Sequence, residues 1–208
     1  MKTKFTYLAF AFLIIFGSCK KNQQATTTPF SFQLQTQNAT SGVVQWTAGT
    51  AHGATLTAIT PSATLSNYNS TINQDLDLFS ASTMGSVALP LGTYPTIQFQ
   101  IELAPSATGS ALHLEGIFND GTNMVPVKFD IPASTVLQAI ASNVAVASGS
   151  GYKVAVTIDL DALTQGVSTT DLTGDEQNGE VDVSDSINAG LYSTILANLQ
   201  GALSITIQ

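Results

Sequence analysis

The chain has 208 residues, of which 44% are hydrophobic and only 10% are charged, and its formal net charge at pH 7 is −8. Its six basic residues are all lysines, so it offers neither the basic patches that nucleic acids require nor an arginine for bidentate phosphate contacts. A single cysteine excludes an internal disulfide and every metal site built from several cysteines.

The N-terminal segment predicts an export and lipidation signal. Two lysines precede an apolar run over residues 5–16, which is too short to span a bilayer and is typical of a signal peptide. Gly17 and Ser18 then stand directly before Cys19, and this segment resembles the lipobox of bacterial lipoproteins. The resemblance implies that residues 1–18 are removed and that Cys19 carries acyl chains such as palmitate, which anchor the protein to a membrane.

The residues after Cys19 indicate to which membrane the protein would be attached. Residue 20 is lysine, so the aspartate that retains some lipoproteins in the inner membrane is absent, and residues 20–24 lack the acidic surface-export signal of other groups. The resemblance therefore implies attachment to the outer membrane, on its periplasmic face rather than at the cell surface. Residues 19–29 are polar and predict a lipidated, flexible tether.

Period-two alternation of apolar and polar residues dominates the chain from Phe30 onwards and predicts β-strands. The predicted strands are 30–34, 44–48, 56–59, 76–78, 97–103, 112–116, 125–131, 144–146 and 154–160, with a closing strand at 203–207. Strands of this length separated by turn residues predict an all-β, antiparallel, two-sheet sandwich that forms a single domain over 30–208.

Two helices are expected within this sandwich. The segment 134–141 has apolar residues on one helical face and predicts a short crossover helix. Ser184 or Asp185 is a suitable N-cap for a C-terminal helix, because apolar residues spaced four apart follow it.

Several short motifs accompany the strands. They are Val-x-Trp ending at Trp46, Leu-Pro-Leu-Gly-Thr-Tyr over 89–94, Phe-Asp-Ile-Pro over 129–132 and Thr-Ile-Asp-Leu over 157–160. Together with the lipobox, they resemble the uncharacterised immunoglobulin- or transthyretin-like sandwich domains of many outer-membrane lipoproteins. The resemblance implies a fold and a compartment but assigns no catalytic residues.

An acidic segment near the C-terminus is the main candidate for a metal site. Its carboxylates are Asp171, Asp175, Glu176, Glu180, Asp182 and Asp185. Calcium takes six to eight oxygen ligands, but Thr173 and Glu176 occupy the third and sixth positions of the best EF-hand alignment, where a ligand and a glycine are needed. Two interpretations stay open: a weak, irregular calcium site, or a solvated acidic loop.

The histidines and the acidic pair near residue 160 give no catalytic signature. Alternation places His113 on the outer face of its strand beside Glu115, and His52 lies in a turn-like segment. No Gly-x-Ser-x-Gly or His-x-x-x-His motif occurs. Asp159 and Asp161 share one strand face at a spacing that glycosidases use, but such pairs are commonly solvent-facing. We therefore expect no enzymatic activity.

Aromatic residues give one further candidate. Trp46 alternates in phase with buried positions and is expected in the core. Tyr68 is flanked by asparagine and serine and is predicted to be exposed in a polar loop. Two roles stay open for it: recognition of a ligand, or capping of one end of the sandwich.

The sequence thus favours a membrane-anchored, non-catalytic binding module for a glycan, a peptide or an envelope protein. An alternative is a structural or fimbria-associated envelope subunit that assembles through sheet edges. A calcium-organised domain or a hydrolase without a recognisable motif comes third, and no nucleic-acid partner and no cofactor other than calcium is expected.

Overall fold

The computed structural model describes residues 26–61, 66–107, 109–149 and 151–208. Strands make up 61% and helices 12% of the structure. The strands are β1 Thr27–Gln37, β2 Gln45–Thr60, β3 Ser66–Asp77, β4 Ser82–Pro90, β5 Gly92–Leu103, β6 Leu112–Asn119, β7 Met124–Ile131, β8 Thr135–Val146, β9 Tyr152–Asp159, β10 Val181–Val183 and β11 Leu203–Ile207. The helices are α1 Leu160–Leu163, α2 Thr169–Gly174 and α3 Ala189–Leu199.

The strands form two sheets, which confirms the predicted mostly-β, two-sheet architecture. The smaller sheet has the order β11-β9-β1-β4, and the larger has the order β10-β7-β6-β2-β5-β8 with β3 paired to β2. The prediction of a wholly antiparallel structure was wrong, because β1 runs parallel to β9 and β10 runs parallel to β7. Both parallel pairs join strands far apart in sequence, and local turn signals carry no information about such pairs.

Aromatic side chains connect the two sheets. Phe30 and Phe32 of β1 face Phe99 of β5, with ring centroids 6.2 Å and 5.1 Å apart. All three rings are buried in one continuous core that draws residues from both sheets. Trp46 is also buried there, which confirms its predicted place.

Strand β2 was predicted as two short strands with a turn between them, and that prediction was wrong. The chain is extended over all 16 residues of Gln45–Thr60, so His52 lies in the middle of a strand. The glycines beside it suggested a turn, but both are buried positions of the sheet. Tyr68 is likewise in β3 rather than in a loop, and its half-buried ring packs against the core.

The predicted helix over 134–141 is instead the first part of strand β8. Small residues such as Ala139 and Ala141 face the core, whereas the larger Val136 and Ile140 face solvent. The apolar side chains that suggested a helical face therefore lie mostly on the outside of an edge strand.

The first strand and the C-terminal helix begin at slightly different residues from those predicted. Strand β1 begins at Thr27, so the last residues assigned to the tether belong to the sheet. The C-terminal helix begins at Ala189 rather than after Ser184 or Asp185, and the preceding Asn188 adopts a left-handed conformation with φ of 53°. The closing strand is confirmed at Leu203–Ile207. Strand β4, whose alternation is weak, was not predicted.

Gly116 offers a test of this packing. It lies directly opposite Trp46, and a Cβ at this position would stand 2.7 Å from the Gln45 carbonyl oxygen and 2.8 Å from Val44 Cγ1. Because the first neighbour is backbone, we expect Gly116→Ala to destabilise the fold by about 1–3 kcal/mol.

Thermal unfolding checks this, since such a loss lowers Tm by several degrees in a domain of this size. Gly174→Ala is the matched control, because nothing lies within 4 Å of the Cβ added there. Equal Tm values for the two variants would contradict the predicted clash.

Candidate functional site

Strand β2 changes partner at His52. Its residues Gln45–Ala51 pair with β6 and residues Gly53–Ile59 pair with β5, while β3 pairs along Thr50–Thr60. Strand β3 occupies one edge of β2, so β5 and β6 both pair with the opposite edge. Strands β5 and β6 separate at His52, where the β6 pairing ends and the β5 pairing begins. The His52 N–H donates to the Ala111 carbonyl, and the His52 carbonyl accepts from the Ala104 N–H, each at 3.0 Å.

A groove of about 440 Å³ lies at this fork on the outer face of the larger sheet. Its lining includes both histidines of the chain together with carboxylate and hydroxyl groups. The residues that matter for its chemistry are Thr50, His52, Asp75, Ser110, His113 and Asp130. Strand register explains the assembly, since Thr50 and Asp130 are the cross-strand neighbours of His113 and Asp75 is that of His52.

His113 is held between two carboxylates. Its Nδ1 lies 2.9 Å from Asp130 Oδ1 and its Nε2 lies 3.1 Å from Glu115 Oε1. Partial burial opposes protonation, but hydrogen bonds to Glu115 and Asp130 and the charges of both outweigh it, so the pKa of His113 is raised. Two acceptors on one ring are matched by the imidazolium form, in which both nitrogens donate.

The other polar groups of the groove are also bound to one another. His52 Nδ1 lies 2.7 Å from Asp75 Oδ1, and Ser110 Oγ donates to Asp130 Oδ1 at 2.7 Å. Asp130 Oδ1 therefore accepts from the Ser110 hydroxyl and also lies within hydrogen-bond distance of His113 Nδ1. Both histidines and their carboxylate partners lie on strands, whereas Ser110 lies on the connection between β5 and β6.

This arrangement differs from a nucleophile–base–acid triad. Such a triad needs the serine hydroxyl bonded to an imidazole nitrogen that can take its proton. Here the Ser110 hydroxyl bonds to the carboxylate, and both nitrogens of His113 face carboxylates.

Sequence reasoning placed His113 and Glu115 together on an outer face but missed the groove. Alternation along one strand reports which face a residue occupies, not which residues of other strands lie beside it. Asp75 and Asp130 gave no signal because each joins its histidine only through strand register.

Asp159 and Asp161 lie at a different site and do not share a strand face. Asp159 ends β9 and caps helix α1, accepting from the N–H groups of Asp161 and Ala162, whereas Asp161 lies in the first turn of that helix. Burial opposes ionisation of Asp159, but the Ala162 N–H and the side chains of Asn38 and Gln37 hold its pKa below the ordinary value. A lowered pKa is the opposite of what a general acid requires.

The acidic residues considered for calcium have several different partners. Asp171 forms a capping box with Ser168 at the start of α2, and hydrogen bonds from the side chain and backbone of Ser168 lower its pKa. Glu180 contacts the Lys128 ammonium, and Asp175 is the C-cap of α2.

Asp182 lies on β10, where burial and a hydrogen bond with Glu180 raise its pKa. Glu176 lies just beyond α2, and Asp185 lies before α3. Among the described residues, no group of three or more histidine, cysteine or acidic side chains is arranged to hold a metal ion.

The lipidation candidate Cys19 and residues 1–18 lie outside the described part of the chain. Within that part, no helix is both long and apolar enough to cross a bilayer. No family model, curated protein or solved structure matches this chain.

His113 makes stability depend on pH in a predictable direction. Because its pKa is raised by folding, its contribution is fully present below the ordinary imidazole pKa and is lost as pH rises through the raised value. We expect His113→Gln to cost about 0.5–1 kcal/mol more at about pH 5.5 than at about pH 8.5.

Urea unfolding of the wild-type protein and of His113→Gln at the two pH values measures this difference. Thr57→Gln is the control, since its cross-strand neighbours Asn69 and Gln100 do not titrate. A larger cost for His113→Gln at the alkaline pH would refute the assignment.

Proposed function

We propose that this protein is a lipid-anchored, non-catalytic binding module of the outer membrane, and that it recognises a glycan through the groove at the fork of strand β2. The observation that carries the proposal is the polar cluster there, in which two histidines each lie within hydrogen-bond distance of a carboxylate and hydroxyl-bearing residues stand beside them. Rigid polar groups in a concave site are typical of small-ligand recognition.

The charge around the groove restricts the class of ligand. Asp75 and Asp130 line it and Glu115 contacts His113, so the carboxylates at the groove outnumber the two imidazoles. Anionic ligands are therefore disfavoured, and hydroxyl or amino groups that donate to carboxylates are favoured. A neutral or amino-bearing glycan satisfies these conditions, and a peptide with a cationic side chain is the other ligand to compare.

The hydrogen bonding of Ser110 and His113 supports a binding role for these two residues. Ser110 lacks a contact with an imidazole nitrogen, and His113 is engaged at both nitrogens among the described residues. A binding site tolerates this saturation, whereas a general base must have a nitrogen available for the proton.

The anchor and the groove are compatible in space. The described chain enters the fold at Thr27, in strand β1 of the smaller sheet, whereas the groove lies on the outer face of the larger sheet. An acylated Cys19 followed by a polar tether would attach the domain through its smaller sheet, and the groove lies on the other sheet, away from that point of attachment. We further propose kinship with immunoglobulin- or transthyretin-like sandwiches, which the two sheets and their common core support.

A bulky substitution in the groove tests whether the ligand binds there. Thr50→Tyr adds a large side chain to the groove lining, and Thr57→Tyr makes the same change farther along β2. On an array of neutral, amino-bearing and acidic glycans, we expect the detergent-purified full chain to bind members of the first two groups only.

We expect Thr50→Tyr to weaken that binding at least about tenfold, or ~1.4 kcal/mol, and Thr57→Tyr to leave it nearly unchanged. Binding confined to acidic glycans, or equal binding by both variants, would refute the assignment of the groove. Binding of cationic peptides alone would replace the glycan with the peptide.

The anchor is tested separately by expressing the full chain in a diderm bacterium fed labelled palmitate. The wild-type chain should incorporate label and sediment with outer membranes, and Cys19→Ser should lose the label because no other cysteine exists. An unlabelled wild-type chain that is nevertheless exported would show that the N-terminal segment is an ordinary secretory signal.

A further inference from the structure

Asn178 and Gly179 form a tight turn before strand β10. Both residues have left-handed backbones, with φ of 56° and 83°, and the flanking Gln177 and Glu180 exchange backbone hydrogen bonds of 2.8 Å and 3.2 Å. Positive φ at both central residues is the geometry of a two-residue type I′ turn, in which Asn-Gly is a preferred pair. The turn leads directly into β10, and its last residue, Glu180, contacts the Lys128 ammonium.

An asparagine side chain can react with the backbone of the next residue. The backbone nitrogen attacks the side-chain Cγ, its proton passes to the amide nitrogen, and the Cγ–Nδ2 bond breaks with release of ammonia. The resulting cyclic imide is opened by water at either carbonyl, which gives aspartate or isoaspartate. The net reaction consumes one water, releases one ammonia and needs no oxidant. Glycine favours it, because the following residue then has no Cβ to obstruct the approach.

The residue that follows Asn178 distinguishes it from asparagines of the same backbone conformation. In the described part of the chain, five asparagines are left-handed: Asn38, Asn73, Asn143, Asn178 and Asn188. The other four precede alanine, glutamine, valine and alanine, and the sequence contains no second Asn-Gly pair. The backbone nitrogen after Asn178 is therefore the least obstructed of the five.

The reacting groups of the turn are accessible. Asn178 and Gly179 are both exposed, and a Cβ added to Gly179 would meet nothing within 4 Å beyond its chain neighbours. Neither the Asn178 side chain nor the Gly179 N–H has a hydrogen-bond partner among the residues that the structure describes. No such bond has to break before the side chain turns towards the nitrogen.

The Asp120–Gly121 pair in the turn between β6 and β7 shows the opposite arrangement. There the Gly121 N–H donates to Asn119 Oδ1 at 2.8 Å, so the nitrogen that would attack is already bonded. The Asp120 carboxylate accepts from the Asn123 and Thr122 N–H groups, and these bonds lower its pKa. An ionised carboxylate is a poor target for a nitrogen nucleophile, so this second turn is protected.

We propose that Asn178 is a spontaneous deamidation site, at which the Gly179 nitrogen displaces ammonia and water completes the conversion to aspartate and isoaspartate. Aspartate adds a negative charge two residues from both Glu176 and Glu180, in a chain that already carries a net charge of −8. Isoaspartate also lengthens the backbone by one methylene, which the two-residue turn cannot accommodate with the hydrogen bonds between Gln177 and Glu180 intact.

The consequence of this reaction falls on β10. Only Val181–Val183 pair with β7, and Lys128 of β7 lies between Asp182 of β10 and Glu115 of β6. Glu180 contacts the same lysine, so one cation already faces three carboxylates. A further carboxylate nearby and a broken turn both weaken the attachment of this short strand.

The test incubates the detergent-purified full chain at neutral and at mildly alkaline pH and maps its peptides by mass spectrometry. The peptide that contains Asn178 should lose its amide and separate into an aspartate and an isoaspartate form, faster at the higher pH. We expect this to be at least about tenfold faster than deamidation of Asn73, which is also exposed and left-handed but precedes glutamine. Asn178→Gln should remove the reaction, because glutamine closes its ring much more slowly.

A urea-unfolded sample of the same chain serves as the control for the fold. Modification of Asn178 in the unfolded sample alone would overturn the proposal, because the folded turn would then protect the amide. Equal rates at Asn178 and Asn73 in the folded chain would also overturn it. Hydrogen exchange on the aged protein then tests the consequence: the amides of Val181–Val183 should exchange faster than in fresh protein and than in Asn178→Gln aged in parallel. Unchanged exchange in a deamidated sample would contradict the weakening of β10.

Discussion

At His52, strand β2 passes from pairing with β6 to pairing with β5, while β3 remains along its other edge. One long strand thereby joins three neighbours, and the backbone of a single residue bridges the two neighbours that separate. Because the sheet divides at this point, its outer face is interrupted by a groove instead of continuing as a flat surface. The positions of both histidines and of their carboxylate partners follow from this branching.

Alternation within single strands explains which strands could be predicted from the sequence. Alternation identified strands such as β5 and β7, because burial of one face is a local property of the sequence. It failed in β8, where small alanines occupy the core face and larger residues the solvent face.

The candidate groove depends on register between strands that are distant in sequence. No pattern within β6 or β7 alone specifies that His113 lies opposite Asp130. The sequence allowed the prediction of an outward-facing His113. Predicting one groove that holds both histidines and their carboxylate partners required the pairing of four strands, β2, β3, β6 and β7.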